Sequence, residues 1–207
     1  MTARPALSFP PVQLRRECPA DAADVARIVG AAFGPDEPEV PLLVDALRPY
    51  SCFGPAGGEP LSLIAERDGE PVGHVMLTRN TIDAWQSLVE VLVLSPLAVL
   101  PGHQRAGVGT ALIAGAVELA RAVAAPALFL EGSPAYYGKR GFTPAEPLGF
   151  RRPSLRIPLP AFQVILFPGY QDWMTGTLVY APPFWDLDCV GLRDRAFVER
   201  MENSAGS

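Results

Sequence analysis

"LPGHQRAGVGTALIAGAVELARA", Leu100 to Ala122, joins a glycine turn to an apolar helical repeat. Gly107 and Gly109 carry no β-carbon, so the chain can turn left-handed there and leave its N–H groups uncovered. Beyond them Leu112, Ile113, Ala116, Val117, Ala120 and Val123 recur at helical spacing, and Pro126 closes the pattern. A helix that starts at such a turn offers unpaired N–H donors and a partial positive charge. Together these make a socket for an anion, most commonly a phosphate.

The flanks say what the turn is part of. Upstream, "SLVEVLVLSPLAVL" (87–100) reads as a long buried central strand, and Pro96 near its end predicts a bulge or a splay. Downstream, "ALFLEG" (127–132) is a short buried strand and "SPAYYGKRGF" (133–142) a turn with a short helix. Further out, "VQLRREC" (12–18) is a first strand and "PADAADVARIVGAAFGP" (19–35) a helix. Asp21 is its expected cap, Asp24 suits its first turn, Val25, Ile28 and Val29 form its apolar stripe, and Gly34 is its stop. "PEVPLLVDALRPY" (38–50) is a shorter helix, and "GPAGGEP" (54–60) is a loop. "LSLIAERDGEPVGHVMLTRNTI" (61–82) is two strands about an Asp68-Gly69 hairpin turn. Past a proline-rich stretch, "FQVILF" (162–167) and "GTLVYAPPFW" (176–185) read as late strands, and "DRAFVERMENSAGS" (194–207) as a small helix and tail. Helices set between strands make this an α/β layered chain.

Composition removes other classes. The 207 residues suit one domain, 49% are apolar and 19% charged, so a large core is expected. A net charge of -5 argues against a nucleic-acid partner. Cys18, Cys52 and Cys189 are odd in number and form no close pair, which suits reduced thiols in a cytoplasm. With only His74 and His103, no zinc site of the usual spacing can be assembled, and no metal is expected. No apolar run is long enough for a signal peptide or a membrane span, so the expected setting is cytoplasmic with no membrane partner. The late strands can pair within one chain or between two, so monomer and homodimer both stay open.

Three phosphate-binding patterns compete for the turn. A nucleoside-triphosphate loop needs a lysine after its second glycine, but Val108 and Gly109 follow Gly107. A dinucleotide loop needs a third glycine where Leu112 stands. The pattern Q/R-x-x-G-x-G/A is matched in full by Gln104-Arg105-Ala106-Gly107-Val108-Gly109. In this setting "LSPLAVLPGHQRAGVGTALI" resembles the acetyl-CoA motif of the GNAT superfamily of N-acetyltransferases. "AYYGKRGF" resembles its second motif, an aromatic residue and Tyr-x-x-x-Gly-Phe. "EGSPAYYGKRGF" and "GTLVYAPPFW" resemble the YhbS-like bacterial subgroup in particular. The strong match covers about 94–142, with a proline-rich C-terminal part from about 143 to 207.

The resemblance implies a mixed, mostly antiparallel sheet with helices on both faces and one parallel strand pair splayed apart to admit acetyl-CoA. Main-chain groups of Leu97, Ala98 and Val99 are then expected to pair with the pantetheine arm, and the Val99 N–H to meet the thioester carbonyl. Amides across Gln104, Arg105, Ala106, Gly107, Val108, Gly109 and Thr110 are expected to hold the pyrophosphate. Tyr137 takes the place of the motif tyrosine and is the expected general acid, with Tyr136 a packing aromatic.

The implied reaction moves an acetyl group to a primary amine of a small molecule, amino acid or protein by direct attack in a ternary complex. It needs a neutral amine, an oxyanion donor and a proton for the thiolate. The base is less determined. Glu90 on the central strand is the first suspect. The family's glutamate position, counted back from Gly107, is Val93 here, and the two-residue period sends Glu90 to the other face. His74, Glu66, Asp83 and Glu131 are further candidates, as is water with no dedicated base. Trp173, Tyr180 and Trp185 are candidate walls of an acceptor pocket. A sensory or regulatory CoA-binding module with little turnover is the alternative reading.

Overall fold

The computed structural model describes residues 11–35, 37–54 and 59–191. The small helix and tail read over 194–207 lie outside the described residues, as does most of the 54–60 loop. Among the described residues eight strands form one sheet: β1 (Gln13–Arg16), β2 (Ser62–Arg67), β3 (Glu70–Ala84), β4 (Leu88–Val99), β5 (Ala127–Glu131), β6 (Thr143–Pro144), β7 (Phe162–Leu166) and β8 (Gly176–Val179). Their order is β1-β2-β3-β4-β5-β7-β6. β8 pairs with the far half of β3, over Thr81–Ala84. Every pairing is antiparallel except that of β4 with β5. The late strands thus pair within the chain.

The two faces are covered by the helices α1 (Ala22–Phe33), α2 (Glu39–Leu47), α3 (Val108–Ala122), α4 (Pro134–Tyr137) and α5 (Pro182–Asp186). Strand alternation divides the core accordingly. Val89, Val91, Val93 and Phe129 join the stripe of α1 (Val25, Ile28, Val29), α2 and Phe184 of α5 on one face. Leu92, Leu94, Leu128 and Leu130 pack with Leu112, Ile113, Ala116 and Ala120 of α3 on the other. Phe129 meets Phe150 edge-on at 5.0 Å and lies nearly parallel to Phe162 at 5.5 Å, which fixes β5 from below.

Most elements stand where the sequence reading puts them. Asp68 and Gly69, at φ 52° and 82°, make the β2–β3 hairpin turn, and Gly34, at φ 71°, ends α1. Asp21 does not cap α1 with its side chain. Its carboxylate accepts the Cys18 N–H at 2.7 Å and a bidentate bond from Arg15, so it serves the single 3-10 turn ahead of the helix. The stretch 176–185 is a strand only in its first half; Pro182 starts α5. β6 has no signal in sequence because it is two residues long.

The feature that positions the site is the end of the β4–β5 pairing. Only Leu92↔Leu128 and Val93↔Phe129 are in register, and the strands part beyond them. Opposite β3, the register jumps between Val75↔Leu97 and Leu77↔Leu94, so β4 carries an extra residue at Ser95–Pro96. Pro96 marks the bulge that its place in the sequence predicts.

Candidate active site

Past the bulge, β4 has a partner on one edge only among the described residues. Leu100 donates its N–H to the Val72 carbonyl at 2.9 Å. Hydrogen-bonded pairs alternate in an antiparallel ladder, so Ala98, opposite His74, also turns its main chain toward β3. Leu97 and Val99 fall between these pairs, and their N–H and C=O groups face the opening toward β5. The exposed strand edge is therefore Leu97 and Val99, with Ala98 turned inward. The side-chain amide of Gln104 donates to the Val99 carbonyl at 3.2 Å and ties this edge to the glycine turn.

The turn itself is strained in the manner of an anion site. Arg105, at φ 59°, and Gly107, at φ 87°, are both left-handed, a conformation costly for arginine and free for glycine. Successive amides in such a turn converge on one point. Arg67, reaching across from β2, donates to the Ala106 carbonyl and pins the turn. The first intrahelical bond runs from Ala111 N to Gly107 O at 3.0 Å, which leaves the Val108, Gly109 and Thr110 amides without a partner in the helix. A β-carbon at Gly107 would meet nothing, whereas one at Gly109 would meet the Tyr136 hydroxyl.

Arg140 fixes the second motif to the first. It donates to the Thr110 hydroxyl at 2.6 Å and to the Tyr136 carbonyl, and its guanidinium lies 3.6 Å over the Tyr136 ring. Tyr136 and Tyr137 are edge-on, 5.0 Å apart, and face different surroundings. Tyr136 lies over the start of α3. Tyr137 is laid against Gly132, where a β-carbon would strike its ring, and it lines a cavity of about 430 Å³ on the α1–α2 face. Burial, with Tyr136 adding to it, raises the Tyr137 phenol above the usual tyrosine range, so it stays protonated.

That cavity begins where the strands part. It is lined by Val93 to Leu97, by Val40 and Leu43 of α2, and by Tyr180 and Phe184. Glu131, the last residue of β5, also lines it. Of the three candidate wall aromatics, Tyr180 lines the cavity and Trp173 and Trp185 do not. The Tyr180 hydroxyl donates to Glu131 at 2.6 Å. Neither Arg140 nor the Glu131–Tyr180 contact is apparent in the linear sequence, though Arg140 sits inside the second motif.

The other carboxylate and histidine candidates are placed elsewhere. Glu90 shares a face with Leu92 and Leu94, opposite the cavity. It accepts the Gly54 N–H at 2.8 Å and lies 3.8 Å from Arg79. His74 is buried against Glu17 at 2.9 Å. Glu66 is paired with Arg15 at 2.6 Å, and Asp83 is exposed on β3. Among the described residues no cluster of three His, Cys, Asp or Glu stands ready for a metal, and no helix is long and apolar enough to cross a membrane.

Comparison with known proteins gives the same architecture. Residues 25–142, more than half of the chain, match the model of the acetyltransferase (GNAT) family. The chain is 36% identical over 124 residues to the uncharacterized N-acetyltransferase YjhQ of Escherichia coli K12; the match spans 60% of this chain and 65% of that protein. A GNAT family acetyltransferase of Brucella melitensis, solved in complex with acetyl-CoA, superposes with a TM-score of 0.65 at 28% identity. It covers 84% of this chain and 97% of its own. YhbS of Escherichia coli, solved in complex with CoA, has the same fold, with a TM-score of 0.72 at 23% identity over 93% of this chain and all of its own. The chain belongs to the GNAT family of acetyltransferases.

Proposed function

We propose that the chain is an acetyl-CoA-dependent N-acetyltransferase that moves the acetyl group to a primary amine of a small molecule, amino acid or protein by direct attack within a ternary complex. The observation that carries this reading is a continuous track. The open main-chain edge of Leu97 and Val99 leads from the glycine turn, where the Val108, Gly109 and Thr110 amides have no partner in the helix, to the cavity at Tyr137. Its two ends suit the two ends of one ligand. The amides and the start of α3 suit a pyrophosphate, and the strand edge suits the amide groups of a pantetheine arm, read like an added strand. The acetyl-CoA held by the Brucella relative supports the same assignment.

In this reading the thioester lies beside the bulge, with the N–H of Leu97, the open amide nearest Ser95–Pro96 and two residues closer to it than the Val99 N–H expected from the sequence, as donor to its carbonyl oxygen as negative charge develops there. The amine enters through the cavity on the α1–α2 face. The amine nitrogen bonds the carbonyl carbon, the C–S bond breaks, and the electron pair stays on sulfur. The Tyr137 hydroxyl supplies the proton that makes the free thiol. A phenol kept protonated by burial suits that role.

The test is release of free CoA thiol from acetyl-CoA across a library of amines, with the acetylated product identified by mass. Amine-dependent release is the expected result. Tight acetyl-CoA binding without release from any amine would favour a sensory or regulatory module and contradict this reading.

A further inference from the structure

The reaction needs a group that takes the amine proton, and the cavity holds one. Glu131 stands two residues beyond Phe129, the last β5 residue paired with β4, and so on the cavity face of the strand. Its counterpart across the opening is Ser95, two residues beyond Val93. Glu131 is thus at the mouth of the splay, in the same cavity as Tyr137. Resting on the acetyltransferase reading above, we propose that Glu131 is the general base that takes the proton of the attacking amine, with Tyr180 as the residue that positions its carboxylate.

The surroundings fit a base and not a structural ion pair. Among the described residues no lysine or arginine forms an ion pair with the Glu131 carboxylate. Tyr180 donates to it at 2.6 Å, and the Gly191 N–H is its other donor. Arg156, whose charge Glu131 feels, is itself bound to Asp188 at 2.5 Å. Among the described residues, the remaining ionisable groups lining the cavity are Tyr137 of α4, Glu37 ahead of α2, Glu39 in its first turn, Asp188 and Cys189, with no lysine or arginine. Burial raises the Glu131 carboxyl to about 7, against the opposing pull of Tyr180, Gly191 and Arg156. A base of that strength is half ionised near neutral pH and still accepts a proton readily.

Tyr180 is itself held. It directly follows β8, which is in register with β3, and the next residue, Ala181, donates its N–H to buried Asn80 at 2.8 Å. Asn80 is fixed in turn by its bonds to Thr78. The protons balance across the cycle. Glu131 gains the amine proton as the C–N bond forms, Tyr137 loses one to sulfur, and exchange through water returns both to their starting forms.

The experiment is steady-state thiol release with one working amine, measured from pH 5 to 9. In the wild type, kcat/KM should rise with pH through about 7. Glu131→Gln should lower kcat by about a hundred- to ten-thousand-fold, leave the KM for acetyl-CoA within about two-fold, and abolish that limb. Glu131→Asp should recover part of the rate and keep the limb. A folded Glu131→Gln protein with wild-type rate and limb would overturn the assignment. Should Glu131→Gln fail to fold, Tyr180→Phe decides: losing a donor to the charged carboxylate moves the limb to higher pH, and a limb that stays put overturns the assignment. No thiol release from the wild type with any amine would overturn this proposal together with the reading beneath it, whereas release that survives Glu131→Gln overturns this one alone.

Discussion

At the scale of single residues, the two adjacent tyrosines make the sharpest contrast. Tyr137 opens on the cavity, and Tyr136 lies over the start of α3 under Arg140. Tyr137→Phe removes one oxygen and keeps the ring. If that hydroxyl protonates the leaving thiolate, kcat should fall by about a hundred-fold with the KM for acetyl-CoA little changed. Tyr136→Phe should change kcat by less than about three-fold. Steady-state kinetics on both variants checks this, and the reverse ranking would contradict it. Tyr137 was legible in sequence because its motif is local, six residues from Ser133 to Gly138 set the helix that presents it. Glu131 was legible only as one carboxylate candidate among several, because what sets it apart is its bond to Tyr180, 49 residues later, and a cavity that no linear pattern encodes. Alternation alone was enough to put Glu90 on the wrong face for the site. Its actual partner, Gly54, is 36 residues away and carries no signal.

At the scale of elements, the site depends on how α4 is seated between β5 and α3. Gly132 is the hinge of that seating. Its N–H is bonded to Ala161 O at 3.0 Å, its carbonyl accepts from Gln163 at 3.0 Å, and a β-carbon there would strike the Tyr137 ring. The backbone is held and has no room to yield, so Gly132→Ala should displace the ring instead. Turnover should fall by about ten-fold or more with acetyl-CoA affinity nearly intact, since a small misplacement of a reacting group is costly. Parallel calorimetry and kinetics check this; unchanged turnover would mean that the ring position does not matter. Among the elements, those with strong local chemistry were readable: the Asp68-Gly69 hairpin, the α3 turn and the Pro96 bulge. Asp21 was misassigned because Arg15 and the Cys18 amide compete for its carboxylate, and only the folded chain settles which donor wins.

At the scale of the whole molecule, the sheet is joined to its helices by a buried ionic group that no motif announces. Glu17, just past β1, accepts from Arg48 after α2 and contacts His74 of β3 at 2.9 Å. Burial alone would raise its carboxyl, but the hydrogen bonds from His74 and Arg48 prevail and hold it at about 2, below the ordinary 4.5. A depressed carboxyl lends stability that is fully present above pH 4.5 and is lost as pH falls toward 2. Glu17→Gln should therefore cost about 3 kcal/mol at pH 7, the scale for breaking a buried pair, and less at pH 3. Urea melts at the two pH values check the sign; an equal deficit at both would contradict it. The central claim, that the glycine turn and the open edge of β4 hold acetyl-CoA, is tested most directly by calorimetric titration of acetyl-CoA into the wild type and Gly107→Glu. A β-carbon there meets nothing within 4 Å, and the left-handed backbone costs about 1–2 kcal/mol of stability. The new side chain puts bulk and negative charge where the pyrophosphate is to lie. Binding to the wild type and loss of binding in a folded variant are the expected result; equal affinity in the two proteins would contradict the account.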